Sequence, residues 1–250
     1  MDIVQTLDET AVRQARLELA AACRWAARQN LQTGVCNHFS MTVPGRPDLM
    51  LVNPEGYFWS EVTAGNVVMA DLEGNVLGGA NTVELTAFNI HAPVHRLVPQ
   101  AGAVLHTHMP HATAICARKG GEVRPVYLSA LSFHRSIAYD RGFNGSAVGT
   151  SEGERLAALL DGGKTVLMMQ NHGPLVLGDT MGEALLRLLY LEDTCRIQIL
   201  AEAGGAALEH VPLALLDKTN PASPMFKAYG KLFMQAVIRE LSREKPDILD

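Results

Sequence analysis

The decisive stretch is Ala103-Val104-Leu105-His106-Thr107-His108, followed by Met109-Pro110-His111. An apolar run ending in alternating histidines predicts a strand over 104–108. Side chains alternate faces along a strand, so His106 and His108 point one way and Thr107 the other. Two same-facing imidazoles can share one divalent ion. A third ligand from elsewhere would leave a coordination position open for a guest, as catalytic zinc sites do. His172 is the candidate. It follows the apolar run Thr165-Val166-Leu167-Met168-Met169 and precedes Gly173-Pro174, which puts it at the end of a strand. The plain alternative is that a short H-x-H is common and needs no metal. The second strand-ending histidine is what favours a site.

The chain has 250 residues, enough for one large domain or two small ones. It is 48% hydrophobic and 19% charged, with ample material for a core. A net charge of −5 and the lack of a Lys/Arg cluster argue against a nucleic-acid partner. Cys23, Cys36, Cys116 and Cys195 are far apart with no C-x-x-C, which fits reduced thiols in a cytoplasmic protein. The opening residues Met1-Asp2-Ile3-Val4-Gln5-Thr6 lack a basic-then-apolar signature, and no apolar run is long enough to span a bilayer. The expected partner is therefore a small molecule, with no nucleic acid and no membrane.

Apolar residues Val12, Ala15, Leu19, Cys23 and Ala26 recur at helical spacing, so 8–30 is expected to be a helix, with Gly34 as its stop. Short runs at 38–43, 49–53 and 67–72 are separated by Pro44-Gly45, Pro54-Glu55-Gly56 and Glu73-Gly74-Asn75. That predicts strands joined by tight turns, paired antiparallel. A helix over 82–98 contains Pro93, which must kink or interrupt it. Pro110 suits the first position of a helix over 111–118. Residues 119–150 are ambiguous, with runs near Val126-Tyr127-Leu128 and at 136–139. A short helix is expected over 151–160, and strands over 165–170 and 175–177. Thr180-Met181-Gly182-Glu183 matches a capping box opening a helix to about 203. Residues 206–223 are irregular, and a final amphipathic helix covers 226–243. The pattern is helices outside a mixed sheet, with a domain over 1–205 and a C-terminal extension over 206–250 that packs on it or on a neighbouring subunit.

With these motifs placed, the chain resembles the class II aldolase/adducin family. The resemblance covers about residues 8–205. It rests on Asn37-His38-Phe39-Ser40, Asn53-Pro54-Glu55-Gly56, Met69-Ala70-Asp71-Leu72-Glu73-Gly74-Asn75-Val76, His106-Thr107-His108 and Asn171-His172-Gly173-Pro174, in that order. It implies an α/β fold, an α/β/α sandwich around a mostly antiparallel sheet. It also implies a homotetramer with active sites between subunits. His106, His108 and His172 become the metal ligands, usually of Zn2+, sometimes of Mn2+ or another divalent ion. Such a centre binds adjacent oxygens of a hydroxycarbonyl compound and stabilises an enediolate. Aldol cleavage, decarboxylation and epimerisation share that electrostatic problem.

The chain departs from the family's sugar-phosphate aldolases at three places. Their acid/base glutamate lies nineteen residues before the first metal histidine, where this chain has Ala87. Glu84 is about one helical turn away and is the substitute candidate, its alternative being a solvated helix-start carboxylate. The phosphate-binding elements are altered around Asn37, Glu55 and Gly56. Cys36 replaces a glycine, Glu55 replaces a threonine, and paired serines at the helix start are missing. A carboxylate there repels phosphate. Asn37, Glu55 and Gly56 are thus expected to touch a substrate that is not phosphorylated. Finally, Ala87-Phe88-Asn89-Ile90-His91 followed by His95 is similar to the adducin-type branch. His91 and His95 share a helix face and are expected to support the site rather than bind metal.

Tyr127 matches a family position whose phenol reaches a neighbouring subunit's site and could donate a proton; a packed tyrosine with one hydrogen bond is the alternative. Tyr139 is a weaker case. Asp161-Gly162-Gly163-Lys164 lacks the pattern of a phosphate loop. The expected activity is a divalent-metal-dependent carbon–carbon lyase of aldolase type, with a decarboxylase or a non-catalytic adducin-like assembly module as alternatives. Metal-dependent oxygenation with iron at the same triad is a third possibility.

Overall fold

The computed structural model describes residues 7–78, 81–142, 145, 149–218 and 223–250. The opening residues 1–6, which carry the leader reading, lie outside them, as do parts of 119–150 and of 206–223.

Seven strands form one sheet: β1 His38–Val43, β2 Arg46–Val52, β3 Val68–Asp71, β4 Ala103–His106, β5 Ile137–Asp140, β6 Val166–Met169 and β7 Gly173–Gly178. Their order is β3-β2-β1-β4-β7-β6-β5. Only β5 and β6 run parallel; the other pairs are antiparallel. The helices are α1 Glu9–Arg28, α2 Leu85–Leu97, α3 Pro110–Cys116, α4 Thr150–Leu159, α5 Met181–Glu202, α6 Leu213–Leu216 and α7 Pro224–Glu244.

Strand alternation sorts the two faces. Phe39, Met41, Ala103, Leu105 and Val176 join the larger core with α1, α3, α5 and α7. Val104, Leu167, Leu175 and Leu177 pack on the other side with Ile90 and Val94 of α2 and Leu156 and Ala157 of α4. By the same alternation His38, Ser40 and His106 lie on the α2 side of the sheet. The result is a helix–sheet–helix sandwich, as the resemblance implied.

Local chemistry explains several boundaries. Asp8 caps α1, its Oδ1 accepting from the N–H groups of Thr10 and Ala11 at 3.0 and 3.1 Å. Gly34 is not the stop. Asn30 sits in the left-handed region at φ 57, Asn30 N–H donates to Ala27, and Leu31 N–H donates to Ala26. That closes the helix in a Schellman pattern four residues before Gly34.

β4 ends at His106, so His108 lies just beyond it. Its partner β1 begins at His38, directly opposite His106, so the ladder on that side runs out. Met109 N–H then bonds to the Thr107 hydroxyl at 3.1 Å, and Pro110 opens α3. The run near 126–128 is not a strand; 3-10 helix follows at Leu128–Phe133.

Pro93 stays inside α2 and cannot donate to the Asn89 carbonyl one turn back. A Cβ on Gly153 would stand 2.0 Å from that oxygen, so a glycine there lets α4 close on α2.

The C-terminal segment lies against the same chain. α7 packs on α1 and α5, with Trp25 edge-on to Phe233. Arg24 grips Asp247 with both guanidinium nitrogens at 3.0 and 2.9 Å. No helix among the described residues is long and apolar enough to cross a membrane.

Candidate metal centre

Two junctions bring the histidines together. His106 ends β4, and His108 follows it by two residues. His172 closes the turn from β6 to β7, whose preceding residue Asn171 takes the left-handed conformation at φ 56. One ring nitrogen from each of His106, His108 and His172 lies within 4.8 Å of the others. His106 Nε2 and His108 Nε2 are 3.2 Å apart. A zinc ion with nitrogen ligands at its usual length separates them by about 3.4 Å in a tetrahedron, so the spacing fits.

The surroundings prepare these nitrogens. His106 Nδ1–H donates to the Pro174 carbonyl at 3.0 Å. That fixes the tautomer and leaves Nε2 as a lone pair, the arrangement that orients metal-binding imidazoles. Burial, and then the neighbouring His38, His172 and His108, hold His106 well below the ordinary histidine range. Burial lowers His108 as well. His172 is pushed down to about 4 by burial and His108, against the opposing pull of Asp140 and Glu152. Neutral imidazoles are what a cation requires. Gly173 completes the junction. A Cβ there would meet the Thr107 carbonyl at 2.6 Å and His108 Cδ2 at 3.2 Å.

Other predicted residues take varied places. Glu84 is the N-cap of α2, its carboxylate accepting from the Thr86 hydroxyl at 2.5 Å and from Ala87 N–H at 2.8 Å. Burial pushes Glu84 up, but those hydrogen bonds and nearby His38 outweigh it and hold the carboxyl below its usual range. Ala87 is buried. Asn37 is buried with Oδ1 accepting from Thr33 N–H at 2.7 Å, while its Nδ2 lacks a partner. Glu55 is exposed and accepts from the Thr82 hydroxyl at 2.7 Å. Gly56 turns the chain at φ 78. Tyr127 stands exposed before the 3-10 helix. Tyr139 is inward and accepts from Val123 N–H at 3.0 Å, which is structural.

The sequence reading missed Ser40 and gave no role to His38. Both are buried on the triad side of β1. Strand alternation over Asn37-His38-Phe39-Ser40 was the signal that could have found them. His91 and His95 both reach Ser40, with His95 Nε2 at 2.7 Å.

An α/β/α sandwich with three convergent histidines at the ends of its central strands could hold a single metal ion. The family described as Class II Aldolase and Adducin N-terminal domain matches residues 17–199, and the chain belongs to it. A "Putative aldolase class 2 protein" of Caulobacter vibrioides is 34% identical over 240 residues, 95% of this chain and 92% of that one. The protein named Decarboxylase NovR of Streptomyces niveus is 30% identical over 203 residues, 80% of this chain and 74% of that one. A crystal structure of an aldolase II superfamily protein from Pseudomonas syringae superposes with a TM-score of 0.87 at 32% identity, covering 100% of both chains.

Proposed function

We propose that this chain is a divalent-metal-dependent carbon–carbon lyase of aldolase type acting on a small, non-phosphorylated hydroxy or keto compound. The observation that carries this reading is the triad itself, three ring nitrogens within 4.8 Å with the His106 tautomer set by Pro174. A divalent ion on these nitrogens, zinc in this reading and manganese as the substitute, supplies positive charge against which an oxyanion develops. Three neutral imidazoles leave that charge uncancelled.

The chain's own residues do the rest. Asn37 Nδ2 is a buried donor without a partner, suited to a substrate oxygen. Glu55 places a carboxylate where phosphate would be repelled, and Gly56 turns the chain beside it. Glu84, held ionised, is the proton acceptor in this reading. Tyr127, exposed on one subunit, is the proton donor to a neighbour's site within a homotetramer.

The test is metal analysis with turnover. Stoichiometric divalent metal and its loss in His106→Ala support the reading; protein without metal, indifferent to that change, ends it. A second reading, decarboxylation, is favoured by the relative named a decarboxylase. Product analysis for carbon dioxide against aldehyde separates the two. Ala87 favours a third, a non-catalytic assembly module, which predicts intact oligomers and no turnover whatever the histidines.

A further inference from the structure

Behind the triad lies a second line of buried polar groups that the proposed chemistry leaves unused. It runs between β1 and α2 through His38, His91, Ser40 and His95, and ends on the Ala101 carbonyl. All four residues are buried, Ser40 and His91 completely.

The polarity of this line follows from its fixed end. A carbonyl only accepts, so His95 Nδ1 carries a proton and donates to Ala101 over 2.7 Å. The line is closed off from solvent and runs through four side chains to a carbonyl, so its proton count is that of neutral rings. His95 Nε2 is therefore a lone pair and accepts from the Ser40 hydroxyl at 2.7 Å. The serine has given away its one proton, so its oxygen accepts from His91 Nδ1–H. His91 Nε2 is then a lone pair and accepts from His38 Nδ1–H at 2.7 Å. One neutral arrangement of protons satisfies all four bonds. It takes up His38 Nδ1 and leaves the Nε2 lone pair outside the line. The His38 ring lies against that of His106, centroids 4.9 Å apart, and feels the Glu84 carboxylate first and then His172 and His108.

We propose that this chain of hydrogen bonds locks His38 as an acceptor at the edge of the triad, where it selects ligands that bring a hydroxyl donor to the metal position. His38 is the specificity-determining group, and His91, Ser40 and His95 are positioning residues. A bare carboxylate or phosphate oxygen meets a lone pair there and is repelled. An α-hydroxy acid or hydroxy ketone offers the O–H that the site lacks. Reversing the lock would require moving every proton in the line and would strand the Ala101 carbonyl, so the preference is built into the fold.

The lock is tested on metal-free protein carrying 15N-labelled histidine, with rings assigned by single replacements. Correlation of ring protons with nitrogens should show His38, His91 and His95 all as the Nδ1–H form. Ser40→Ala should release His38 into a mixture of tautomers, and Ser40→Thr, which keeps the hydroxyl, should restore one. His38 carrying its proton on Nε2, or unchanged in a folded Ser40→Ala, overturns the proposal. If Ser40→Ala does not fold, the wild-type spectrum decides.

The ligand class rests on the metal-centre reading and is tested on cobalt-loaded protein by visible absorption. Glycolate should bind about tenfold tighter than methoxyacetate, which lacks only the donor proton. That ratio should collapse in His38→Leu. An unchanged ratio in the variant overturns the selection. Failure of cobalt to load would sink the metal-centre reading, while the nitrogen spectra still decide the lock.

Discussion

His38 and His106 stand directly opposite each other across the β1–β4 ladder, their ring centroids 4.9 Å apart and the planes tilted by 35°. One ends the strand that leads into the candidate ligands His106 and His108. The other begins the strand that carries the hydrogen-bonded line back to Ala101. The candidate centre is therefore a junction of adjacent strands, each contributing one kind of group.

The third ligand should be indispensable. His172→Ala removes the nitrogen that the β6–β7 turn brings to the pair at the end of β4. Loss of a mere supporting group lowers metal affinity by about 10–100-fold, and loss of a ligand should exceed that. Competition against a chelator measures it, with thermal unfolding of the metal-free protein as the control for folding. Retained affinity in the variant would remove His172 from the ligand set.

Gly173→Ala should act on both stability and the site. The new Cβ would press on the Thr107 carbonyl at 2.6 Å and on the His108 ring at 3.2 Å. Overpacking of this kind costs about 1–3 kcal/mol. We expect a lower unfolding midpoint together with weaker metal binding, because the displaced ring is a candidate ligand. By contrast, Gly153→Ala meets the Asn89 carbonyl at 2.0 Å between α2 and α4. It should lower stability without a direct effect on the metal.

Glu84 has two candidate roles that separate cleanly. As the cap of α2 it accepts from Ala87 N–H, and serine can replace it in that role. Glu84→Ser should keep unfolding stability within about 0.5 kcal/mol, and Glu84→Val should lose about 1 kcal/mol. If the carboxylate accepts the proton, both variants lose about 100-fold or more in kcat. Full activity in Glu84→Ser would leave capping as its whole contribution.

Stability should fall on mild acidification. Burial pushes His95 down to about 4 despite the bond to Ala101, and holds His91 well below its ordinary value. Between pH 6.5 and about 4 the unfolded chain therefore binds protons that the native one refuses, so stability decreases as pH decreases through that window. The His95 share is roughly 3 kcal/mol at most. Urea unfolding at pH 7 and pH 5 measures the slope, and His95→Gln should flatten it. An unchanged slope would mean that His95 takes up its proton alike in the folded and unfolded chain.

Much of this protein was legible in the chain alone, because the signals were local. Period-two alternation put His106 and His108 on one side, although the strand stops at His106. The order of the short motifs pointed to the family, and turn residues marked most element ends. Asn30 escaped because an asparagine can take the left-handed closing position that is normally sought at a glycine.

Tertiary structure decided everything that depends on pairing across distance. Residue spacing cannot say that β1 lies beside β4 rather than β6, so it could not bring His38 to His106. Nor could it aim α2 so that His91 and His95 converge on Ser40, or give Pro174 the task of orienting a ligand. Those relations come from strand order and helix docking, where side chains remote in sequence share one buried space and must satisfy one another's hydrogen bonds.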